Sequence, residues 1–218
     1  MITKIQLHKK ATVLASDGKQ LGSLERVVLN PDNNVITDVV IRTGTLTNRE
    51  EKVVPIALVV ETADDQILLR EEAGDLKAFP QFEEERIVNE HGGMNKSSAP
   101  ANDIPSAVDN IAVGAPLLQT PNEQIITRIE QNIPEGTVAM KEGAKVIAAD
   151  GRQVGNVERV VAEPQMEQIT HLLVSSGWFN KENKLIPVAW VMRMGEDMVH
   201  LRVGKDSVDN LAAAPLAG

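Results

Sequence analysis

The chain carries one sequence pattern twice, and this internal repeat is the strongest constraint on its fold. Residues 11–44 read ATVLASDGKQLGSLERVVLNPDNNVITDVVIRTG, and residues 144–177 read AKVIAADGRQVGNVERVVAEPQMEQITHLLVSSG. At an offset of 133 residues the two segments share an Asp-Gly dipeptide, an ERVV run, an Ile-Thr pair and a closing glycine. The match resumes one residue out of step, with VVPIALVV against LIPVAWVM and ILLR against VHLR. A repeat of this length predicts a duplicated domain.

The composition is that of a folded protein with aliphatic cores. Of the 218 residues 42% are apolar and 24% charged, and there are three Phe, two Trp, no Tyr and no Cys. The absence of cysteine excludes disulfides, thiolate nucleophiles and cysteine-based metal sites. We find no signal-peptide pattern and no apolar run of the roughly 20 residues that a membrane span requires. We therefore expect a soluble, cytoplasmic protein with no membrane span.

The net charge of −9 bears on the kind of partner. A surface for duplex nucleic acid needs clustered Lys and Arg that displace counterions from phosphates. The sequence contains no such cluster, so we expect no direct binding to duplex nucleic acid.

Short strands and tight turns predict an all-β fold. An Asp-Gly dipeptide and a Pro-Asp-Asn tripeptide separate runs of β-branched residues, and this pattern is typical of hairpins. These signals place strands at 13–14, 21–29, 35–42, 53–54 and 66–70 of the first copy. The ERVV run breaks the alternation of apolar and polar residues in both copies, which indicates a β-bulge. We predict two small, mostly antiparallel barrels in tandem.

The composition also suggests domain boundaries. We predict a first barrel with a C-terminal extension at residues 1–90, a Pro/Gly-rich linker at 91–121, a second barrel at 122–206 and a tail at 207–218. Residues 122–135 are ambiguous, because isoleucines four apart satisfy both a helix face and a strand face. Whether the linker is ordered stays open.

The ordered set of motifs resembles the PRC-barrel family. It stands as ASDGKQLGSLERVVLNP, ITDVVIRTG and KVVPIALV, and again as AADGRQVGNVERVVAEP, ITHLLVSSG and KLIPVAWV. The segment FPQFEEERIV is similar to one that follows the barrel in stand-alone bacterial members. The family includes the cytoplasmic barrel of the photosynthetic reaction-centre H subunit and a domain of a ribosome-maturation factor. The resemblance implies a stand-alone tandem member, of the kind described as stress-related or uncharacterised.

The resemblance and the residues favour a non-enzymatic protein-interaction or scaffolding module with no cofactor. The four histidines have no metal-site or catalytic spacing, and no phosphate-binding glycine loop or nucleophile elbow is present. One alternative is an accessory factor in RNA processing or ribosome maturation. Another is an enzyme or ligand-binding protein with a site between the two barrels.

Two sets of residues are candidates for a site. The pairs Glu25-Arg26 and Glu158-Arg159 persist in both copies, and we expect them to form cross-strand ion pairs or, as the alternative, to bind a ligand. The loop after the shared glycine differs between the copies, with TLTNREE in the first and WFNKEN in the second.

These two loops are the predicted contacts with a protein partner. Leu46 lies in the first loop, and Trp178 and Phe179 lie in the second. Aromatic side chains on loops are favoured anchors of protein interfaces, although the same pair could instead pack over a barrel end. Open strand edges would also allow homodimerisation, or packing of the two barrels about a pseudo-twofold axis within one chain.

Overall fold

The computed structural model describes residues 5–8, 10–44, 48–63, 65–89, 125–163, 167–176 and 182–214. The strands in these ranges are β1 (Ile5–His8), β2 (Thr12–Leu14), β3 (Gln20–Asn30), β4 (Val35–Gly44), β5 (Arg49–Pro55), β6 (Val59–Ala63), β7 (Gln66–Leu69), β8 (Glu83–Asn89), β9 (Ile125–Gln131), β10 (Val138–Lys141), β11 (Lys145–Ile147), β12 (Gln153–Glu163), β13 (Gln168–Ser176), β14 (Glu182–Pro187), β15 (Val191–Met194) and β16 (Met198–Leu201). A five-residue helix, α1 (Lys205–Asp209), follows the last strand. The predicted all-β class is confirmed.

The two repeats have the same strand order. We call residues 5–82 the first repeat and residues 138–214 the second. The first repeat has the order β6-β7-β2-β3-β4-β5, and the second has β15-β16-β11-β12-β13-β14. In each, one parallel pair (β2 with β7, β11 with β16) stands among antiparallel pairs. Each repeat is thus built on one strand pattern.

The Asp-Gly dipeptides form the same turn in both repeats. Gly18 has φ = 83° and Gly151 has φ = 80°. A carboxylate oxygen of Asp17 accepts a hydrogen bond from the backbone N–H two residues further on at 2.9 Å, and Asp150 does the same at 3.0 Å. Positive φ suits glycine, and Asp can bond to the backbone of its own turn, so these dipeptides direct β2 into β3 and β11 into β12.

The predicted bulge is present in both repeats. The register of β3 on β4 shifts at Glu25, and the register of β12 on β13 shifts at Glu158. The bulge residue is the glutamate of the ERVV run in each case. An extra residue on one strand bends it and increases its twist, which curves the sheet of each repeat.

The repeats exchange their leading strands. The β1 strand, which begins the first repeat, pairs antiparallel with residues 159–162 of β12 in the second. The β10 strand, which begins the second repeat, pairs antiparallel with residues 26–29 of β3 in the first. Every residue pair of one ladder maps onto a pair of the other at the offset of 133. The exchange is therefore symmetric, and each repeat completes the sheet of the other.

A second contact joins β4 to β13. Val35 lies opposite Gln168, and the two residues are related by the same offset. On either side of this pair the N–H groups of Ile36 and Ile169 donate to the carbonyls of Glu167 and Asn34, the residues just before β13 and β4, at 2.9 and 2.8 Å. A pseudo-twofold axis passes between Val35 and Gln168, so one sheet runs through both repeats.

The main core is a single cluster of aliphatic side chains drawn from both repeats. Its fully buried members include Leu7, Val13, Leu29, Ile36, Ile41, Ile67, Met140, Val146, Ile169, Leu172, Val174 and Ile186. A smaller cluster on the other face of the first repeat gathers Val28, Val40, Val53, Phe82 and Ala139. Both the repeats and their exchanged strands are held by buried aliphatic surface.

Two parts of the predicted architecture differ from the structure or are untested by it. Within the described residues β5 does not pair with β6 and β14 does not pair with β15, so strand pairing does not close either repeat into a barrel. The ambiguous segment 122–135 contains the strand β9, which pairs with β8 in a separate two-stranded sheet. The predicted linker, residues 91–121, lies outside the described residues, and the domain boundaries stay predictions.

The described residues divide into two compact units. One comprises residues 1–84 and 131–218 and contains both repeats, whereas the other, Glu85–Glu130, contains most of β8 and β9. The site described below lies in the first unit.

Candidate functional site

The three predicted anchor residues fall outside the described part of the chain. Leu46 lies between the end of β4 at Gly44 and the described residues that resume at 48. Trp178 and Phe179 lie between β13 and β14, in residues 177–181. Their role in an interface stays a prediction.

The first repeat has an open cleft beside the loop that contains Leu46. Its volume is about 550 Å³. Three strand ends form its walls: the start of β3, the end of β4 and the start of β5. The lining residues are Gln20, Leu21, Gly22, Ser23, Arg42, Thr43, Gly44 and Arg49.

Two arginines give the cleft a positive charge. Arg42 is half-buried, and its Nη1 lies 3.2 Å from Oε2 of Glu25, the bulge residue. Arg49 is exposed and forms no ion pair with any residue that the structure describes. A guanidinium offers five donors in a planar fork that matches a carboxylate. In a chain of net charge −9, this cleft presents two guanidinium groups whose geometry suits an anionic group.

The second repeat has a different residue at the equivalent position. Ser175 stands where the first repeat has Arg42, and its hydroxyl donates to Oε1 of Glu158 at 2.5 Å. The bulge glutamate thus accepts a hydrogen bond from a hydroxyl in one repeat and forms an ion pair with a guanidinium in the other. The shared framework therefore accommodates either residue beside this glutamate.

Arg26 lies at the junction of the two repeats. Its side chain is about 10% exposed and forms ion pairs with Glu51 of the same repeat and with Glu196 of the second. Its Cζ also lies 4.6 Å from the centre of the Phe82 ring, a cation–π contact. Arg26 therefore links charged and aromatic groups of both repeats.

Lys141 on the exchanged strand β10 completes this cluster. Its Nζ lies 2.9 Å from Oε1 of Glu196 and 3.3 Å from Oδ1 of Asp197. The hydrogen bond to Glu196 raises the pKa of Lys141. Burial alone would raise the pKa of Glu196, but Lys141 and Arg26 together lower it below the ordinary glutamate value. Both groups are therefore held in their charged forms.

The second repeat has a related but weaker arrangement. Nη1 of Arg159 donates to the amide oxygen of Gln6 on the exchanged strand β1. His8 on the same strand lies 3.0 Å from Oδ1 of Asp65, and Lys141 with Asp197 is the equivalent pair. In this structure the repeated Arg26 and Arg159 connect one repeat to the other. The sequence comparison found these arginines but not their partners, because the partners come from distant strands.

One cavity between the repeats, bounded by described residues, is small. Its volume is about 10 Å³, and equivalent residues of both repeats line it, among them Leu7 and Met140, Val27 and Val160, and the arginines Arg26 and Arg159. This volume admits at most a single water. A substrate site between the repeats, one of the alternatives from the sequence, has no room at this point.

Exposed apolar side chains mark equivalent positions on two outer strands. Val60 on β6 is 56% exposed and Met192 on β15 is 65% exposed. Both stand where the register of the strand shifts against its neighbour. Their neighbours Glu61 and Arg193 are also exposed and carry opposite charges. The two outer strands thus have exposed apolar residues at equivalent positions, each followed by a residue of opposite charge.

The described part of the chain contains no group of three or more His, Asp or Glu side chains that could hold a metal ion. None of the helices described there is long and apolar enough to cross a membrane.

Comparison with known proteins identifies two families. The PRC-barrel domain matches residues 9–76, and a family described as uncharacterized proteins conserved in bacteria (DUF2171) matches residues 140–209. The first match spans β2 to β7, and the second spans the equivalent strands β11 to β16. No curated protein matches the chain.

Proposed function

We propose that this chain is a non-enzymatic protein-interaction module that consists of two PRC-type barrels in tandem and binds an acidic segment of a partner protein. The PRC-barrel match of residues 9–76 supports the non-enzymatic class. The common strand order and the sequence repeat, at an offset of 133 residues that becomes 132 after the loop between β4 and β5, support a second domain of the same type in residues 138–214.

The observation that carries the proposal is the arginine-lined cleft of the first repeat. The two repeats share turns, bulges and exchanged strands, and these shared features have structural explanations. Arg42 has no counterpart in the second repeat, where Ser175 satisfies the bulge glutamate. A residue that the framework does not require is the better candidate for binding.

The charge of the cleft selects the partner. Arg49 is exposed and Arg42 shares its guanidinium with one glutamate, so both retain donors for a ligand. A carboxylate accepts two parallel hydrogen bonds from a guanidinium. A protein segment rich in Asp and Glu fits this site, with Leu46 of the adjoining loop as its predicted apolar contact.

The test is a comparative affinity purification from the native cell. Wild-type protein, the double variant Arg42→Ser/Arg49→Ser and the control Arg193→Ser each serve as bait, with one half of every lysate treated with nuclease. Arg193 is also an exposed arginine, but it lies on β15 of the second repeat.

A protein set that survives nuclease, is retained by Arg193→Ser and is lost with the double variant supports the proposal. Ribosomal partners that vanish on nuclease treatment would instead support the accessory role in ribosome maturation. Equal recovery with all three baits would exclude the cleft as the contact. The variant Trp178→Ala/Phe179→Ala then tests the loop of the second repeat, with unchanged thermal stability as the condition for an interface role.

A further inference from the structure

The contacts between the repeats have the form of a complete dimer interface. Each residue pair of the two exchanged-strand ladders occurs twice, at positions related by the offset of 133. The pairing of Val35 with Gln168 occurs once and lies on the axis itself. This is the pattern of an isologous interface, in which the same surface patch is used by both partners.

The exchanged strands bury apolar side chains in the opposite repeat. Leu7 on β1 faces Val160, and Met140 on β10 faces Val27. Leu7 and Met140 are each about 1% exposed. Removal of either strand would expose its partner strand and open the main core to water.

Polar contacts strengthen the same interface. The Gln6 side chain of the first repeat accepts a hydrogen bond from Nη1 of Arg159 in the second. Across the axis, Arg26 of the first repeat forms an ion pair with Glu196, which is also paired with Lys141 of its own repeat. The Arg26 side chain is about 10% exposed, and it would lose this partner if the repeats separated.

None of these contacts involves the segment that connects the repeats. Residues 90–124 join β8 to β9 and lie outside the described residues. The contacts described above are all non-covalent and lie elsewhere in the chain. Nothing in their geometry requires the two repeats to belong to one chain.

We propose that the two repeats bind each other independently of the connecting segment, so that a repeat of one chain accepts the complementary repeat of a second copy by strand exchange. The connection then acts only by keeping the two repeats of one chain at a high effective concentration. Intact chains at micromolar concentration are therefore monomers, and a severed chain remains a two-part complex.

The test uses the full chain with a protease recognition sequence inserted between residues 105 and 106. The protein is folded first, cleaved, and run on a size-exclusion column at micromolar concentration. The proposal predicts co-elution of both fragments at the size of the intact chain. It also predicts that a tenfold dilution lowers the Tm of the cleaved protein by about 2–4 °C, while the Tm of the intact chain stays constant.

Variants connect this result to the exchanged strands. Leu7→Asp or Met140→Asp should weaken the affinity between the fragments by roughly 100-fold or more, because each places an unpaired charge in an apolar layer. Met192→Asp makes an equivalent change on an exposed position and should leave the complex intact.

Two outcomes would overturn the proposal. One is separation of the wild-type fragments at micromolar concentration. The other is a complex that Leu7→Asp and Met140→Asp leave unaffected, because the association would then arise from contacts other than the exchanged strands. If the fragments bind each other and the arginine variants still recover all partners, the proposed function fails and this inference stands.

Discussion

Val35 and Gln168 lie directly opposite each other on β4 and β13, and they are the same position of the two repeats. Two residues related by a repeat can face each other only where a twofold axis passes between them. The hydrogen bonds of Ile36 and Ile169 flank this pair symmetrically at 2.9 and 2.8 Å. The chain therefore contains, within a single polypeptide, the arrangement of a symmetric dimer.

The equivalence of the repeats predicts which arginine the fold can lose. Arg42→Ser gives the first repeat the residue that the second repeat has at Ser175, where the hydroxyl bonds to Glu158. We expect urea unfolding to show a change within about 0.5 kcal/mol, because Glu25 gains a hydroxyl donor. Arg42→Leu removes the ion pair with Glu25 without supplying a polar replacement, and it should cost about 1–3 kcal/mol. Equal losses for both variants would show that the arginine itself is structural.

Phe82 is the largest side chain of the smaller core cluster, and the equivalent position in the second repeat is Ala214. Phe82 is 1% exposed and also contacts the Arg26 guanidinium. Phe82→Ala should lower the free energy of unfolding by about 3–5 kcal/mol. Phe82→Leu retains most of the buried volume and should cost less than about 2 kcal/mol. A small effect of the alanine variant would contradict the role of Phe82 as a cover for this face.

Gly22 and Gly155 are required by close backbone contact. A Cβ at Gly22 would lie 2.3 Å from the carbonyl oxygen of Arg42, and one at Gly155 would lie 2.1 Å from that of Ser175. Alanine at either position must displace the neighbouring strand, and we expect a loss of about 2–4 kcal/mol in each case. Gly74→Ala is the control, because its nearest neighbour is 3.2 Å away, and it should change stability by less than about 1 kcal/mol. Tolerance of alanine at both Gly22 and Gly155 would contradict the strand spacing.

The Glu196 cluster predicts a pH dependence of stability. The folded-state pKa of Glu196 is below its ordinary value, so the carboxylate stabilises the folded chain at pH values above the unfolded pKa of about 4.3. This contribution is lost as the pH falls through the lowered folded-state pKa. Glu196→Gln should therefore be less stable than wild type at pH 7, and the difference should shrink steadily as the pH falls below about 4.

Thermal unfolding from pH 7 to pH 3 measures this difference. Glu71→Gln, an exposed position with no ion pair among the described residues, serves as the control and should follow the wild-type curve. A gap between wild type and Glu196→Gln that is constant over this range would contradict a role for the ionised carboxylate.

Local features of the fold could be predicted from the sequence. The Asp17-Gly18 turn depends on four adjacent residues, and the bulge at Glu25 appears as a break in alternation within one strand. Both features recur at the offset of 133, so the sequence predicts each of them once in each repeat. They were found because their causes lie within a few residues of their effects.

The strand exchange could not be predicted in the same way. The β1 sequence IQLH has four residues, and its partners on β12 are more than 150 residues away. Nothing in such a short segment distinguishes pairing with its own repeat from pairing with the other. The choice depends on how the two curved sheets fit together, which is a property of the whole molecule.

The arginine cleft had a sequence signal, but it was weak. The positions that match between the repeats are turns, bulges and junction contacts. Arg42 differs in charge from Ser175, although the flanking residues of the two repeats are similar. The sequence thus contains this difference, but the proximity of Arg49 and the shape of the cleft depend on how the ends of three strands come together.

A cysteine cross-link across the pseudo-twofold axis is the most direct test of this account. The chain has no cysteine, so Val35→Cys/Gln168→Cys introduces a single possible pair. The hydrogen bonds join the residues on either side of Val35 and Gln168, and these two residues are not hydrogen-bonded to each other. Such a non-hydrogen-bonded pair has a Cα separation of about 4.5 Å, which is within the range for a disulfide. The account predicts that mild oxidation at micromolar concentration forms a disulfide within one chain, detected as a faster-migrating monomer on a non-reducing gel. Failure of this pair to form a disulfide, while the protein remains folded, would contradict the pairing of the repeats about a twofold axis.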